Sequence, residues 1–166
     1  DRSPASGSAP AASTTTEVEI KAMGPEFALD SYVSLPYFQS VDTPENKKFV
    51  AEFKAYAGAD SVTHAAMEAV YIGVNIWSMA AEKAKDVAPE AVIANAGNLG
   101  FAAPQGHVKI DPQNLHTYLT PRIGQTQADG QLKIVDQYSE PLLPLPYSAE
   151  GETADKRICT VNGAVL

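Results

Sequence analysis

The 166-residue chain has a globular composition, with 45% apolar residues, 19% charged residues and a formal net charge of −8. This composition excludes wholesale disorder, and the chain lacks the run of about eighteen uninterrupted apolar residues that a membrane span needs. Because an acidic chain is repelled by nucleic-acid phosphates and anionic lipids, we expect no nucleic-acid partner and no membrane insertion. A single cysteine, Cys159, excludes an internal disulfide and a cysteine-rich zinc site.

The two ends of the chain differ in composition from its middle. Residues 1–16 consist mainly of Ser, Ala, Pro, Gly and Thr, which predicts a flexible leader. They hold no Met and no apolar stretch, so no signal peptide is visible in them. Residues 148–166, with Cys159, are weakly patterned and are expected to form a weakly ordered tail. The ordered domain is therefore predicted over residues 17–147.

Helix signals dominate the first part of this domain. A short helix is predicted over 17–23, after threonines that can cap it and before a Gly-Pro pair that stops it. Thr43 is a good N-cap, and the proline after it fits the first helical position, which predicts a helix over 44–57. Two further helices are predicted over 63–85 and 89–96, the latter opened by a proline and ended by a glycine.

The predicted helix over 63–85 is unusual because it is apolar on nearly all sides. Between Ala65 and Ala81 its only charged residue is Glu68. A helix of this kind must be covered on most of its surface. Since the rest of the chain offers few large apolar surfaces, we expect part of its partner surface to lie outside these 166 residues.

Strand signals precede and follow the helices. The aromatic and β-branched residues of 31–38 predict a strand that ends at Pro36, because proline has no backbone N–H to donate. Residues 101–106 are expected to form a loop. Asp129 and Gly130 predict a hairpin turn between the last two of three later strands. These later strands are expected at 107–110, 117–125 and 131–137.

The sequence contains no recognisable catalytic or metal-binding constellation. His64, His107 and His116 lack the spacing of a helical metal site, and neither a serine nucleophile motif nor a glycine-rich phosphate loop is present. Surface or capping roles are favoured for these histidines. We therefore expect no catalytic residue, no metal and no cofactor, and an enzyme is the least favoured function.

Three polar residues occupy a position where small ligands are often held. Tyr37, Gln39 and Ser40 lie just after the predicted strand and before a helix start, and in α/β folds ligands bind at such an edge. Aromatic residues such as Tyr71 and Trp77 could line a pocket, but the helical periodicity favours a place in the core.

Several sequence segments, taken in order, resemble the amide- and urea-binding branch of the type I periplasmic binding proteins. The resemblance runs over about residues 13–147, and each segment alone is a weak signal. The segments that carry it are Tyr37–Asn46, Met67–Tyr71 leading into Trp77, Phe101–Asn114, Arg122–Gly124, Asp129–Gly130 and Pro141–Tyr147.

The resemblance implies an α/β fold that is the C-terminal part of a two-lobed receptor, here with about four helices and a late antiparallel hairpin. Such receptors trap a small ligand between their lobes by hinge closure. The implied function is the solute-binding component of an ABC importer for urea, short-chain amides or branched-chain amino acids. The implied partners are a small polar ligand, the transporter permease and a missing N-terminal lobe, and the implied location is periplasmic or extracellular.

The resemblance also implies which residues contact the ligand. It places the strand of 31–38, with the ligand-binding Tyr37, at or near a crossing between the lobes, and Gln39 and Ser40 near the cleft. It also places Glu68 and Tyr71 on a helix that approaches the other lobe. Two alternatives remain open. One is a cytoplasmic amide sensor that regulates transcription through a protein partner, and the other is a truncated, non-functional fragment, which the over-apolar helix would favour.

Overall fold

The computed structural model describes residues 10–145, 160–161 and 164–165, which form a mixed α/β fold. The four α-helices of these described residues agree with the predicted fold class. They are α1 (Glu17–Met23), α2 (Pro44–Ala57), α3 (Ala65–Ala84) and α4 (Pro89–Ala96).

The helix boundaries follow from capping residues. The Thr43 side chain accepts a hydrogen bond from the Asn46 N–H and caps α2, which ends before Gly58. The longest helix, α3, is two residues shorter at its start than predicted, because His64 takes the extended N-cap conformation. It ends where Lys85 adopts a left-handed conformation, with φ of 55°.

The strands of residues 10–145 form two sheets. One sheet has the order β1-β2-β6-β7 and the other has the order β3-β4-β5. The strands are β1 (Ala11–Ala12), β2 (Tyr32–Leu35), β3 (Gly100–Ala103), β4 (Gly106–Ile110), β5 (Thr117–Tyr118), β6 (Arg122–Thr126) and β7 (Leu132–Gln137). A separate antiparallel pair is formed by β8 (Thr160–Val161) and β9 (Ala164–Val165).

The predicted late hairpin is confirmed. Strands β6 and β7 pair antiparallel, and Gly130 in the turn has a positive φ of 80°. Strand β6 also pairs antiparallel with β2, where Val33 lies opposite Gly124. A Cβ on Gly124 would lie 3.0 Å from the Phe38 ring, so the absence of a side chain lets the ring pack against the sheet.

Two predicted segments are wrong in type or extent. Residues 101–106 do not form a loop, because Gly100–Ala103 pair antiparallel with β4. A tight turn at Gly106, with φ of 113°, allows this hairpin. The single strand predicted over 117–125 is two strands in different sheets, and the break falls at Pro121, which cannot donate a ladder hydrogen bond.

The ends of the chain are described only in part. Within the predicted leader, Ala11 and Ala12 form β1, which pairs parallel with β2, and Thr16 is buried at the start of α1. Ala11 and Ala12 therefore differ from the flexible leader that was predicted, because they pair with the edge of β2. The domain limits at 17 and 147 stay a prediction, and Cys159 lies outside the described residues.

The apolar core consists of two clusters, one for each sheet. The first packs α1 against the four-stranded sheet, and the second packs α3 against the three-stranded sheet. The first contains Ile20, Ala28, Val33, Phe38 and Leu132. The second contains Ile72, Ile76, Ala103, Val108 and Ile110.

Candidate functional site

Tyr37 lies two residues after the end of β2 and is fully buried. Its hydroxyl donates to Asn46 Oδ1 at 2.8 Å and lies 2.8 Å from Thr63 Oγ1. Burial, with a smaller contribution from the carboxylates of Glu17 and Glu68, raises the pKa of the Tyr37 hydroxyl. This residue therefore stays a neutral hydrogen-bonding group that joins β2 to the start of α2 and to the segment before α3.

Gln39 continues the same network, and both polar ends of its side chain have partners. Its Oε1 accepts from the Thr63 N–H at 2.8 Å, and its Nε2 donates to Gln131 Oε1 at 3.0 Å. Its backbone N–H donates to Glu17 Oε1 at 2.6 Å. Gln39 and Tyr37 thus meet at Thr63, which fixes the turn after β2.

Ser40 is the exposed member of this turn. Its Oγ donates to the carbonyl of Leu132, at the start of β7. Beside Gln39 and Ser40 opens a cleft of about 420 Å³ between the turn and α2. The ion pair of Asp42 and Lys47, 2.7 Å apart, lies among the residues that line it.

Glu68 is a buried carboxylate in the first turn of α3, with only 1% of its surface exposed. Its two oxygens accept from Gln105, from the backbone N–H at 3.3 Å and from Nε2 at 2.9 Å. Burial raises the pKa of Glu68 to about 7, although the hydrogen bonds of Gln105 and the charge of Arg122 oppose this shift.

Arg122, at the start of β6, completes a polar relay with Gln105 and Glu68. Its Nη2 donates to the Gln105 carbonyl at 2.7 Å, and its Nη1 donates to the carbonyls of Pro36 and Thr120. The relay consists of Glu68, Gln105 and Arg122, and it connects α3, the β3–β4 turn and β6 to the end of β2.

Tyr71 lies apart from the polar groups and is 40% exposed. Its ring packs 5.1 Å from that of Phe49 on α2 and 6.3 Å from that of Phe101 on β3. The Phe49 ring lies 6.3 Å from that of Tyr37. The structure therefore connects Tyr71 to Tyr37 through an intervening aromatic ring.

Sequence reasoning missed Gln105 and Arg122 as site residues, although both lie in segments that carry the family resemblance. One available signal was a charged residue in a strand directly after proline. A charged side chain that is buried at such a place needs several acceptors, and here it finds the carbonyls of three chain segments.

Two kinds of feature are not found among the described residues. Among them, no group of three His, Cys, Asp or Glu side chains could hold a metal ion. None of the helices in this part of the chain has the length and hydropathy of a membrane-spanning segment.

The sequence matches the family of the periplasmic binding protein domain over residues 5–153, nearly the whole chain. The chain therefore belongs to this family. Its fold is similar to that of solute-binding proteins of ABC transporters, and this confirms the resemblance to type I periplasmic binding proteins seen in the sequence.

Two solved structures illustrate this likeness. A solute-binding protein from Rhodopseudomonas palustris HaA2, in complex with p-hydroxybenzoic acid, is 23% identical with a TM-score of 0.69, covering 82% of this chain and 38% of its own. A leucine-binding protein from Thermotoga maritima is 19% identical with a TM-score of 0.60, covering 73% of this chain and 34% of its own. At these identities the likeness shows the fold alone.

A curated relative from Geobacillus stearothermophilus, named limonene hydroxylase, is 32% identical over 124 residues. The match covers 75% of this chain and 23% of that protein. The chain thus spans less than two fifths of the length of each of these relatives. The matched family and the solved relatives are solute-binding proteins.

Proposed function

We propose that this chain is part of the solute-binding component of an ABC importer and captures a small polar ligand without making or breaking bonds. The observation that carries this proposal is the family match over residues 5–153. The buried hydrogen-bond network behind Gln39 and Ser40 supports it, because specific capture of a polar ligand needs fixed donors and acceptors.

The proposed ligands are urea, short-chain amides or branched-chain amino acids. The ordered sequence segments that resemble the amide and urea branch support this class, and the fold of the leucine-binding relative is compatible with it. All three candidates offer compact groups that hydrogen-bond in a water-excluded cleft, where an unmatched polar group is costly.

We assign different roles to the five proposed site residues. Ser40, Gln39 and Tyr71 are at least partly exposed and would contact the ligand directly. Tyr37 and Glu68 are buried and hydrogen-bonded within the chain, so they would hold the turn after β2 and the start of α3 in place.

The same proposal includes the partners and the location. An N-terminal lobe would close over the ligand, and the transporter permease would receive it. Both events would take place in the periplasm or outside the cell.

The test is a calorimetric titration of the chain, and of a longer parent protein where one exists, with urea, acetamide, leucine and 4-hydroxybenzoate. We expect saturable binding of one of the first three. Binding of 4-hydroxybenzoate alone would contradict the proposed ligand class, and binding of none of the four by the parent would contradict solute capture of this kind.

A pair of variants locates the site. Gln39→Ala should weaken binding of the identified ligand by about fivefold or more, since a lost hydrogen bond in a closed site costs about 1–3 kcal/mol. Gln113→Ala is the matched control, because Gln113 is exposed and lies in the turn after β4. Equal affinities for the two variants would remove Gln39 from the site.

A further inference from the structure

Asn46 is a buried amide whose polar atoms are all hydrogen-bonded within the chain. Only 1% of its surface is exposed. Its Nδ2 donates to the Gln39 carbonyl at 2.9 Å and to the Val41 carbonyl at 2.7 Å, while its Oδ1 accepts from the Tyr37 hydroxyl at 2.8 Å. Both N–H groups of the amide therefore have an acceptor, and the two acceptors lie on either side of Ser40 in the sequence.

The start of α2 explains how Asn46 reaches back to this turn. Asn46 is the third residue of the helix, after the N-cap Thr43, and side chains at this position can reach back past the cap. The Thr43 hydroxyl accepts from the Asn46 N–H at 3.0 Å and donates to the Pro104 carbonyl at 2.7 Å. The first turn of α2 is thus attached to the β3–β4 turn, and this attachment fixes the position of the Asn46 amide.

Ser40 differs from its two neighbours because its own peptide groups are unpaired in the described part of the chain. The N–H and the carbonyl of both Gln39 and Val41 are hydrogen-bonded. Neither the N–H nor the carbonyl of Ser40 has a hydrogen-bond partner among the described residues. Because Ser40 also lines the cleft between the turn and α2, it offers a backbone donor and a backbone acceptor beside that cleft.

A donor and an acceptor on one residue suit a ligand that has both kinds of group, such as urea, a short amide or an amino acid. How well they serve depends on how firmly the backbone around them is held. A group that is already fixed loses less conformational freedom when a ligand binds, and this raises the affinity without any new contact. The amide of Asn46 holds the backbone on both sides of Ser40.

We propose that Asn46 is a positioning residue, whose amide holds the carbonyls of Gln39 and Val41 so that Ser40 is fixed beside the cleft for the ligand. The inference rests on the proposed function, in which Gln39 and Ser40 contact a small polar ligand. It extends that function to a residue that acts through the backbone of the turn and need not touch the ligand itself.

The first experiment follows the turn by NMR of the full chain without ligand. Asn46→Asp keeps the size of the side chain and the acceptor for Tyr37 but removes both N–H donors. We expect the Ser40 N–H vector to be as ordered as those of α2 in the unaltered chain, and to become mobile on the ps–ns timescale in the variant. Unchanged order at Ser40 in the variant would overturn the proposal.

A second measurement needs no variant and therefore does not depend on the folding of Asn46→Asp. Because both side-chain N–H groups of Asn46 donate to carbonyls in a buried place, their protons should exchange slowly with solvent in the unaltered chain. Exchange as fast as that of an exposed asparagine side chain would overturn the proposal.

The binding experiment separates positioning from general stability. Asn46→Asp should weaken the binding of whichever of urea, acetamide or leucine is bound, by the chain or by its longer parent, by about tenfold or more. Val108→Ala is the matched control, because Val108 is buried on β4 in the second core cluster. This control should lower the urea midpoint of unfolding while its affinity stays within about twofold of that of the unaltered protein. Equal losses of affinity in the two variants would overturn the positioning role.

These measurements also distinguish a failure of this inference from a failure of the proposed function. Loss of order at Ser40 in Asn46→Asp with undiminished affinity would overturn the positioning role and leave the proposed function intact. Absence of binding by the unaltered chain and its parent would contradict the proposed function, whereas the loss of order at Ser40 would still show that the Asn46 amide holds the turn.

Discussion

On its inner side, α3 buries a carboxylate, that of Glu68, whereas on its outer side it exposes Val70, Val74 and Trp77. The inner side also buries Ile72 and Ile76, so α3 departs from the usual surface helix in exposing apolar residues on its outer side as well. The difference lies in what each side meets. The inner side meets Gln105 and, beyond it, Arg122, which together make a buried carboxylate tolerable, while the outer side is left largely exposed among the described residues.

The comparison teaches that hydrophobic pattern alone does not decide which side of a helix is buried. A buried carboxylate is tolerated when donors and a positive charge lie near it. For Glu68 the donors belong to Gln105 in the β3–β4 turn and the charge to Arg122 on β6, both more than thirty residues away along the chain. Substitutions can either remove the contacts that α3 makes on its inner side or alter the residues on its outer side.

The largest effect is expected from Arg122→Ala. The substitution would leave the buried carbonyls of Gln105, Pro36 and Thr120 without this donor, and Glu68 without a nearby positive charge. We expect the free energy of unfolding to fall by about 3 kcal/mol or more, because each buried acceptor left without a donor costs about 1–3 kcal/mol. Urea denaturation measures this change in the free energy of unfolding.

Lys133→Ala provides the comparison for that measurement. Lys133 is also a cation in the four-stranded sheet, but it is exposed. Its removal should change the free energy of unfolding by no more than about 0.5 kcal/mol. Similar losses for the two variants would mean that the relay does not stabilise the fold.

The second prediction concerns pH. The pKa of Glu68 is raised to about 7 by burial, above its ordinary value of 4.5, so the folded chain keeps this proton at pH values where the unfolded chain has lost it. The contribution of Glu68 to stability is therefore greatest below about pH 4 and declines as the pH rises to about 8. The decline should be on the order of 3 kcal/mol.

Comparison with Glu68→Gln isolates this residue from the other titrating groups. Glu17, whose pKa burial also raises, and Asp111, whose pKa is lowered by the Gln113 N–H, remain in both proteins. Relative to the variant, the unaltered chain should lose stability from pH 4 to pH 8 in urea titrations. A constant difference across this range would show that Glu68 ionises in the folded chain as it does in water.

The sequence was sufficient for the elements with strong local signals. Thr43 with Pro44 located the start of α2, and Asp129 with Gly130 located the hairpin, because caps and tight turns depend on a few neighbouring residues. The strand at Gly100–Ala103 was missed because its small residues carry no alternating pattern, and its pairing with β4 defines it.

The candidate site was predictable only where its residues are neighbours in the sequence. Tyr37, Gln39 and Ser40 were expected beside one another at the end of a strand, and they lie together there. The relay could not be derived in this way, because Glu68 and Arg122 are connected through the Gln105 side chain and carbonyl, and long-range contacts of this kind leave no local periodicity.

The smallest predicted effect tests the outer side of α3. Gly73 lies within the helix, has no neighbour near its missing Cβ, and so has nothing that a methyl group would displace. Gly73→Ala should raise the free energy of unfolding by about 0.5–1 kcal/mol, because alanine loses less conformational freedom than glycine in a helix. Gly124→Ala should act in the opposite direction, since its Cβ would lie 3.0 Å from the Phe38 ring. Both are measured by urea denaturation, and a loss of stability in Gly73→Ala as well as in Gly124→Ala would mean that the space beside Gly73 is not open.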